Sequence, residues 1–158
     1  MTESSFVHST LEDGEDLYLT DQWKRKYHFK IASFPVPTGM AFEAIEVKAD
    51  NALGYQFNSL SSFDTDPAVA KQAFIKKIRK GLNQRHLKKV GSEWEIGGRD
   101  ILRGRIEWND DLSDTDLDRV FVIDGKRITI DDFGRMLGAY EGWRFEFRIL
   151  DPYSQSCP

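Results

Sequence analysis

A chain of 158 residues that is 40% hydrophobic, 30% charged and 13% aromatic carries enough apolar side chain to fold, which excludes intrinsic disorder for all but its ends. Its formal net charge of −4 excludes a protein that coats nucleic acid or anionic membrane with its whole surface, and confines any such binding to one face. The single cysteine, Cys157, excludes a disulfide framework or a thiolate metal cluster within one chain and makes a reducing, cytoplasmic setting the expectation.

Residues 1–22 are acidic, with Glu3, Glu12, Asp13, Glu15 and Asp16 and no lysine or arginine in the first twenty positions. They read as a flexible leader and lack the basic start and apolar core of a secretory signal. No apolar run approaches the roughly 20 residues needed to span a bilayer, so no membrane partner is expected. From Trp23 the pattern changes. Tyr27, Phe29 and Ile31 alternate with His28 and Lys30, which predicts a strand ending near Pro35-Val36-Pro37. Thr38-Gly39 makes a turn, a second strand follows at Met40 to Lys48, and Asp50-Asn51 separates it from a third at Leu53 to Leu60. Asp66-Pro67 supplies an N-cap and a proline at the first helical position, and Ala70, Phe74, Ile78 and Leu82 recur every four residues behind them. That helix is expected to run to about Arg85, with Gly81 as its weak point. Trp94 to Ile96 predicts a short strand, and the alternation of Leu102, Gly104, Ile106 and Trp108 with Arg103, Arg105 and Glu107 predicts a longer one.

The C-terminal third is the most tightly specified part of the chain. An apolar run from Val120 stops at Asp124-Gly125, a dipeptide that accepts the positive φ angles of a tight hairpin, and Lys126 to Ile128 forms the return strand. Thr129 and Asp132 read as a capping box, Ile130, Phe133, Leu137 and Tyr140 follow at helical spacing, and Gly142 is placed to stop the helix. Trp143, Phe145, Phe147 and Ile149 alternate with Arg144, Glu146 and Arg148, the pattern of a half-buried last strand. The resulting order, β-β-β-α-β-β-β-α-β, describes an α+β fold with a mainly antiparallel sheet and two helices on one face, Phe74, Ile78, Phe133 and Leu137 pointing at it. The expected organisation is a single domain over residues 23–150, or two sheet-plus-helix halves at 23–90 and 101–150, with a polar tail at 151–158.

The segment from Ile123 through Asp124-Gly125, Ile128, Ile130, Asp132-Phe133-Gly134-Arg135-Met136-Leu137, Tyr140-Glu141-Gly142-Trp143 and Phe145 resembles the C-terminal signature of an uncharacterised bacterial family of domain-of-unknown-function proteins. The resemblance extends to Gly104-Arg-Ile-Glu-Trp108 and to the region from Phe42 to Leu87. It implies a bacterial cytoplasmic origin and transfers no catalytic residue.

Residues 71–89 carry Lys71, Lys76, Lys77, Arg79, Lys80, Arg85, Lys88 and Lys89 and no acidic residue. At 100° per residue Lys76, Lys77, Arg79 and Lys80 fall away from the Phe74-Ile78-Leu82 stripe, a basic face suited to phosphates of nucleic acid or another polyanion. The competing reading is a solvated face that balances acidic segments of the same chain. Arg135, Glu141 and Trp143 form a second candidate, a pocket in which Glu141 is an acid or base walled by the indole, against an arginine that complements a helix C-terminus and a tryptophan that anchors a core. Asp110, Asp111, Asp114, Asp116 and Asp118 crowd one loop, but the glycine and glutamate of a calcium loop are absent at the required offsets, where Thr115 and Phe121 stand. His8, His28 and His86 are scattered, and no glycine-rich phosphate loop or nucleophile elbow is present, so neither a metal, a cofactor nor a catalytic residue is assigned. A noncatalytic cytoplasmic interaction module is the leading expectation, with a protein partner or a second copy bound through the Trp143 to Ile149 strand. Polyanion binding by the basic helix and a small enzyme at the Arg135 pocket are the alternatives.

Overall fold

The computed structural model describes residues 14–108 and 119–153. The aspartate-rich loop, Cys157 and most of the acidic leader lie outside them. The chain is α+β and divides into two compact units: residues 1–52, 56–83 and 148–158 form the first, and residues 53–55 and 84–147 the second.

In the first unit four antiparallel strands stand in sequence order, β1 (Glu15–Thr20), β2 (Lys26–Val36), β3 (Gly39–Glu46) and β4 (Gln56–Ser61). The meander expected from the sequence therefore gains a strand from the segment read as leader. Leu17 and Leu19 explain it, since they lie opposite Phe29 and Tyr27 and extend the apolar face by one strand. The β1–β2 turn is tied by Asp21, whose Oδ1 accepts from the backbone N–H groups of Trp23 and Arg25, both at 2.9 Å, and whose Oδ2 accepts from the Tyr27 hydroxyl at 3.0 Å. Register places Leu19, Tyr27, Phe29, Ile31, Phe42, Ala44 and Phe57 on one face. Helix α1 (Pro67–Leu82) covers that face with the predicted stripe Ala70, Phe74, Ile78 and Leu82, all buried. The Asp66 side chain accepts from Ala68 N–H at 2.8 Å, and Pro67 opens the helix as the sequence predicts. Gly81 is a point of close approach, because a Cβ there would run into the Phe57 ring.

The second unit holds two further sheets, so the strands are not parts of one sheet. A hairpin of β5 (Leu87–Val90) and β6 (Glu93–Ile96) turns at Gly91, and β7 (Gly104–Trp108), β8 (Arg119–Ile123) and β9 (Lys126–Thr129) form a three-stranded antiparallel sheet. The Asp124-Gly125 turn has φ of 54° and 74°, the left-handed pair that a two-residue hairpin requires. Helix α2 (Ile130–Met136) starts at the predicted capping box: Thr129 Oγ1 accepts from Asp132 N–H at 3.0 Å, and Asp132 Oδ2 accepts from Thr129 N–H at 3.3 Å. Its Met136 joins Leu87, Ile96, Ile123 and Ile128 in the core of this unit, with Phe121 and its own Phe133 packed beside them. Met136, 1% exposed, takes the place expected for Leu137, which is 45% exposed. The α-helix gives way to a tighter 3-10 turn at Leu137–Tyr140, which rotates Leu137 off the buried stripe.

Two further expectations are corrected. On β7 the burial is inverted: Ile106 and Trp108 are about half exposed, whereas Arg105 and Glu107 are half-buried and paired at 2.6 Å. These two lie opposite Val122 and Val120, and their aliphatic stems lie on the face of those buried valines. The second correction concerns residues 143–149, which form no strand. A strand needs a neighbouring backbone ladder and a surface for its apolar set, and here Trp143, Phe145, Phe147 and Ile149 are 63%, 91%, 65% and 71% exposed.

Candidate functional site

The cations of residues 71–89 separate into two sets. Lys71, Lys76, Lys77, Arg79 and Lys80 stand on α1 of the first unit, and Arg85, Lys88 and Lys89 belong to the second. On α1, Lys71 Nζ pairs with Glu15 Oε2 at 2.6 Å, and the Lys77 ammonium donates to the Asn58 carbonyl. Lys76, Arg79 and Lys80 are exposed and have no acidic partner among the described residues. Arg85 donates to the Gln84 carbonyl at 3.0 Å and to the Tyr55 hydroxyl at 3.4 Å. Lys88 is exposed on β5, and Lys89 lies over the Trp94 ring, 5.4 Å from its centroid.

The second unit has a shallow cleft of about 220 Å³ between β6, β9 and α2, walled by Glu93, Trp94, Arg127, Asp132 and Arg135. Register sets Lys89 directly opposite Trp94, and Lys126 approaches the same indole at 4.9 Å, so the ring carries two cations. Arg135 is at the cleft, as its place in the motif suggests, but it is already neutralised: Nη1 meets Asp132 Oδ1 at 3.0 Å and Nε meets Glu93 Oε1 at 3.4 Å. Burial alone would raise the pKa of Asp132. The hydrogen bonds from Arg135 and Thr129 outweigh it and hold the carboxyl below its usual range. Glu141 and Trp143 are not at this cleft. Both are exposed, and Trp143 packs edge-on against Tyr140 at 5.1 Å.

The best-connected ionisable pair of this unit was hidden in the turn signal. Asp124, 8% exposed, accepts from the backbone N–H groups of His86 and Leu87, each at 2.8 Å, and its Oδ1 meets His86 Nδ1 at 3.0 Å. Both oxygens are thus engaged, and the carboxylate ties the start of β5 to the β8–β9 hairpin. Among the described residues no hydroxyl or thiol bonds the His86 ring. The sequence could not join positions 38 residues apart, although Asp at a positive-φ turn position marks a side chain free to bond backbone.

Among the described residues no three His, Cys, Asp or Glu side chains are grouped to hold a metal ion, and no helix is long and apolar enough to cross a membrane. The most exposed apolar feature is the run after Gly142 (φ 87°), where Trp143, Phe145, Phe147, Ile149 and Leu150 are each half exposed or more.

No curated protein and no solved structure matches the chain. Over residues 12–83 it is similar to one domain of unknown function (DUF7686), and over residues 84–154 to another (DUF7713). The two matches meet between Asn83 and Gln84, where the chain passes from its first compact unit to its second, so that two adjoining domains of unknown function account for the chain from residue 12 to residue 154.

Proposed function

We propose that this chain is a noncatalytic interaction module that joins to a second copy of itself through residues 143–147. One observation carries this: three large aromatic side chains, Trp143, Phe145 and Phe147, stand exposed within five residues, Phe145 at 91%, a density that soluble monomers seldom leave uncovered. A second copy fits the pattern by charge. In an antiparallel pairing centred on Phe145, Arg144 lies opposite Glu146 twice over and Trp143 lies opposite Phe147. The apolar set then faces one way on both chains, with each of Trp143, Phe145 and Phe147 beside an aromatic ring of the other copy. The lone cysteine supports a reducing, cytoplasmic setting, and the resemblance of the C-terminal signature supports a bacterial one.

Sedimentation or light scattering at high micromolar concentration is expected to give a dimer, and Phe145→Ser with Phe147→Ser to weaken it roughly 100-fold or more, since each buried phenylalanine contributes about 1.5–3 kcal/mol. Arg144→Glu is expected to weaken it too, and Arg144→Glu combined with Glu146→Arg to restore it. A wild-type monomer at that concentration overturns the proposal.

Polyanion binding is the second reading, favoured by Lys76, Arg79 and Lys80, which are exposed on α1 and have no acidic partner among the described residues. Labelled RNA or DNA titrated across salt is expected to bind with a steep salt slope. Reversing these three residues to glutamate is expected to abolish the binding with the fold intact; unchanged affinity removes this face from consideration.

A further inference from the structure

The outer face of the four-stranded sheet holds a carboxyl group that α1 does not cover. Glu43, in the central strand β3, is nevertheless only 6% exposed, and its Oε2 has no hydrogen-bond partner among the described residues. Gln56 Nε2 donates to Oε1 at 3.1 Å. Ala32 lies opposite Glu43 on one side and Asn58 on the other. The Asn58 amide donates to the Tyr153 hydroxyl at 3.2 Å, which brings a residue 95 positions later onto this face. Tyr153 N–H in turn donates to Asp151 Oδ1 at 2.9 Å, which closes the segment on itself.

Among the described residues no cation is paired with the carboxylate. On β2 the same face carries Lys30 and His28, but both are held by Asp16 of β1, at 2.9 and 2.7 Å, with the Tyr18 ring stacked on His28 at 4.4 Å. Strand β4 offers only the neutral Gln56, Asn58 and Leu60, and the C-terminal segment offers Tyr153 and Asp151. A buried ionised oxygen without a donor is costly, whereas the protonated carboxyl is neutral.

We propose that Glu43, Asn58 and Tyr153 form a clasp that holds the C-terminal segment on this face while Glu43 is neutral and loosens when Glu43 ionises. Burial raises the pKa of Glu43, and hydrogen bonding from the Asn58 side chain offsets only part of that rise. Released from Tyr153, the carboxyl meets water and returns toward its ordinary value of 4.5. The sign follows: the contribution of neutral Glu43 to docking is fully present below that ordinary value and is lost as pH rises through the raised one. Tyr153, pushed upward by its own burial and then by the Glu43 charge, titrates far above this window.

A pH-insensitive fluorophore on Cys157, the only cysteine, reports the segment by anisotropy between about pH 4 and pH 8. In the wild type the anisotropy is expected to fall in one step above the ordinary glutamate range. Glu43→Gln is expected to stay high throughout, and Tyr153→Ala to stay low throughout. A flat wild-type profile overturns the clasp, as does a Glu43→Gln profile with the wild-type midpoint, which would assign the step to another group. A Tyr153→Ala profile that follows the wild type overturns it equally, whatever the glutamine variant does to folding.

Discussion

Alanine at Asp124 is expected to destabilise the second unit by roughly 3–5 kcal/mol. The substitution strands two backbone N–H donors, those of His86 and Leu87, that now reach the carboxylate at 2.8 Å, and it leaves a Cβ residue without local hydrogen bonding at φ 54°. Asparagine is the informative control. Its carbonyl oxygen can accept both N–H bonds, its amide can donate to a neutral His86 ring, and it tolerates the left-handed region, so Asp124→Asn is expected to cost under about 1 kcal/mol. Urea unfolding gives the magnitudes, and amide exchange at His86 and Leu87 locates them. Equal damage from both variants would mean that charge, not acceptor geometry, makes the tether. The pH dependence has a definite sign. Burial alone would raise the Asp124 pKa, but the hydrogen bonds from His86 and Leu87 outweigh it and hold it below the ordinary 3.8. The stability it supplies is therefore present above that value and lost as pH falls through the lower folded one.

Phe74→Ala is the second large effect, at roughly 3–5 kcal/mol against the first unit. Phe74 is 1% exposed and meets the Phe42 ring at 5.5 Å, where α1 closes on β3. Removing it leaves a cavity lined by a β-sheet on one side and a helix on the other, neither of which can collapse without breaking its own hydrogen bonds. Since a domain of this size is stable by only about 5–15 kcal/mol, the variant is expected to lose a large share of its margin. The loss would show as a lower urea midpoint with the slope unchanged. A cost below about 1.5 kcal/mol would mean that the helix packs loosely over the sheet.

Local signals were legible because their causes are local. The N-cap at Asp66, the stripe from Ala70 to Leu82, the Asp124-Gly125 turn and the Thr129–Asp132 box each depend on residues within one or two turns. What failed depended on partners elsewhere. Leu17 and Leu19 became a strand only because β2 offers an apolar row beside them. Residues 143–149 have the alternation of a strand but no ladder to join, and β7 shows its isoleucine and tryptophan because Arg105 and Glu107 lie on the side of the buried Val120 and Val122. The basic run looked continuous because sequence spacing does not reveal that Arg85, Lys88 and Lys89 belong to another unit. Glu43 did leave a trace, an acid between Phe42 and Ala44 in an apolar stretch, but Tyr153 is too distant in sequence for its contact to be inferred from spacing.

That last contact also has a bearing on synthesis. The four strands and α1 are built from neighbours in sequence and can form as soon as residues 15–82 leave the ribosome. Their outer face is finished only when Tyr153 arrives, after the whole second unit has been made. Until then this face lacks the hydrogen bond that joins Asn58 to Tyr153.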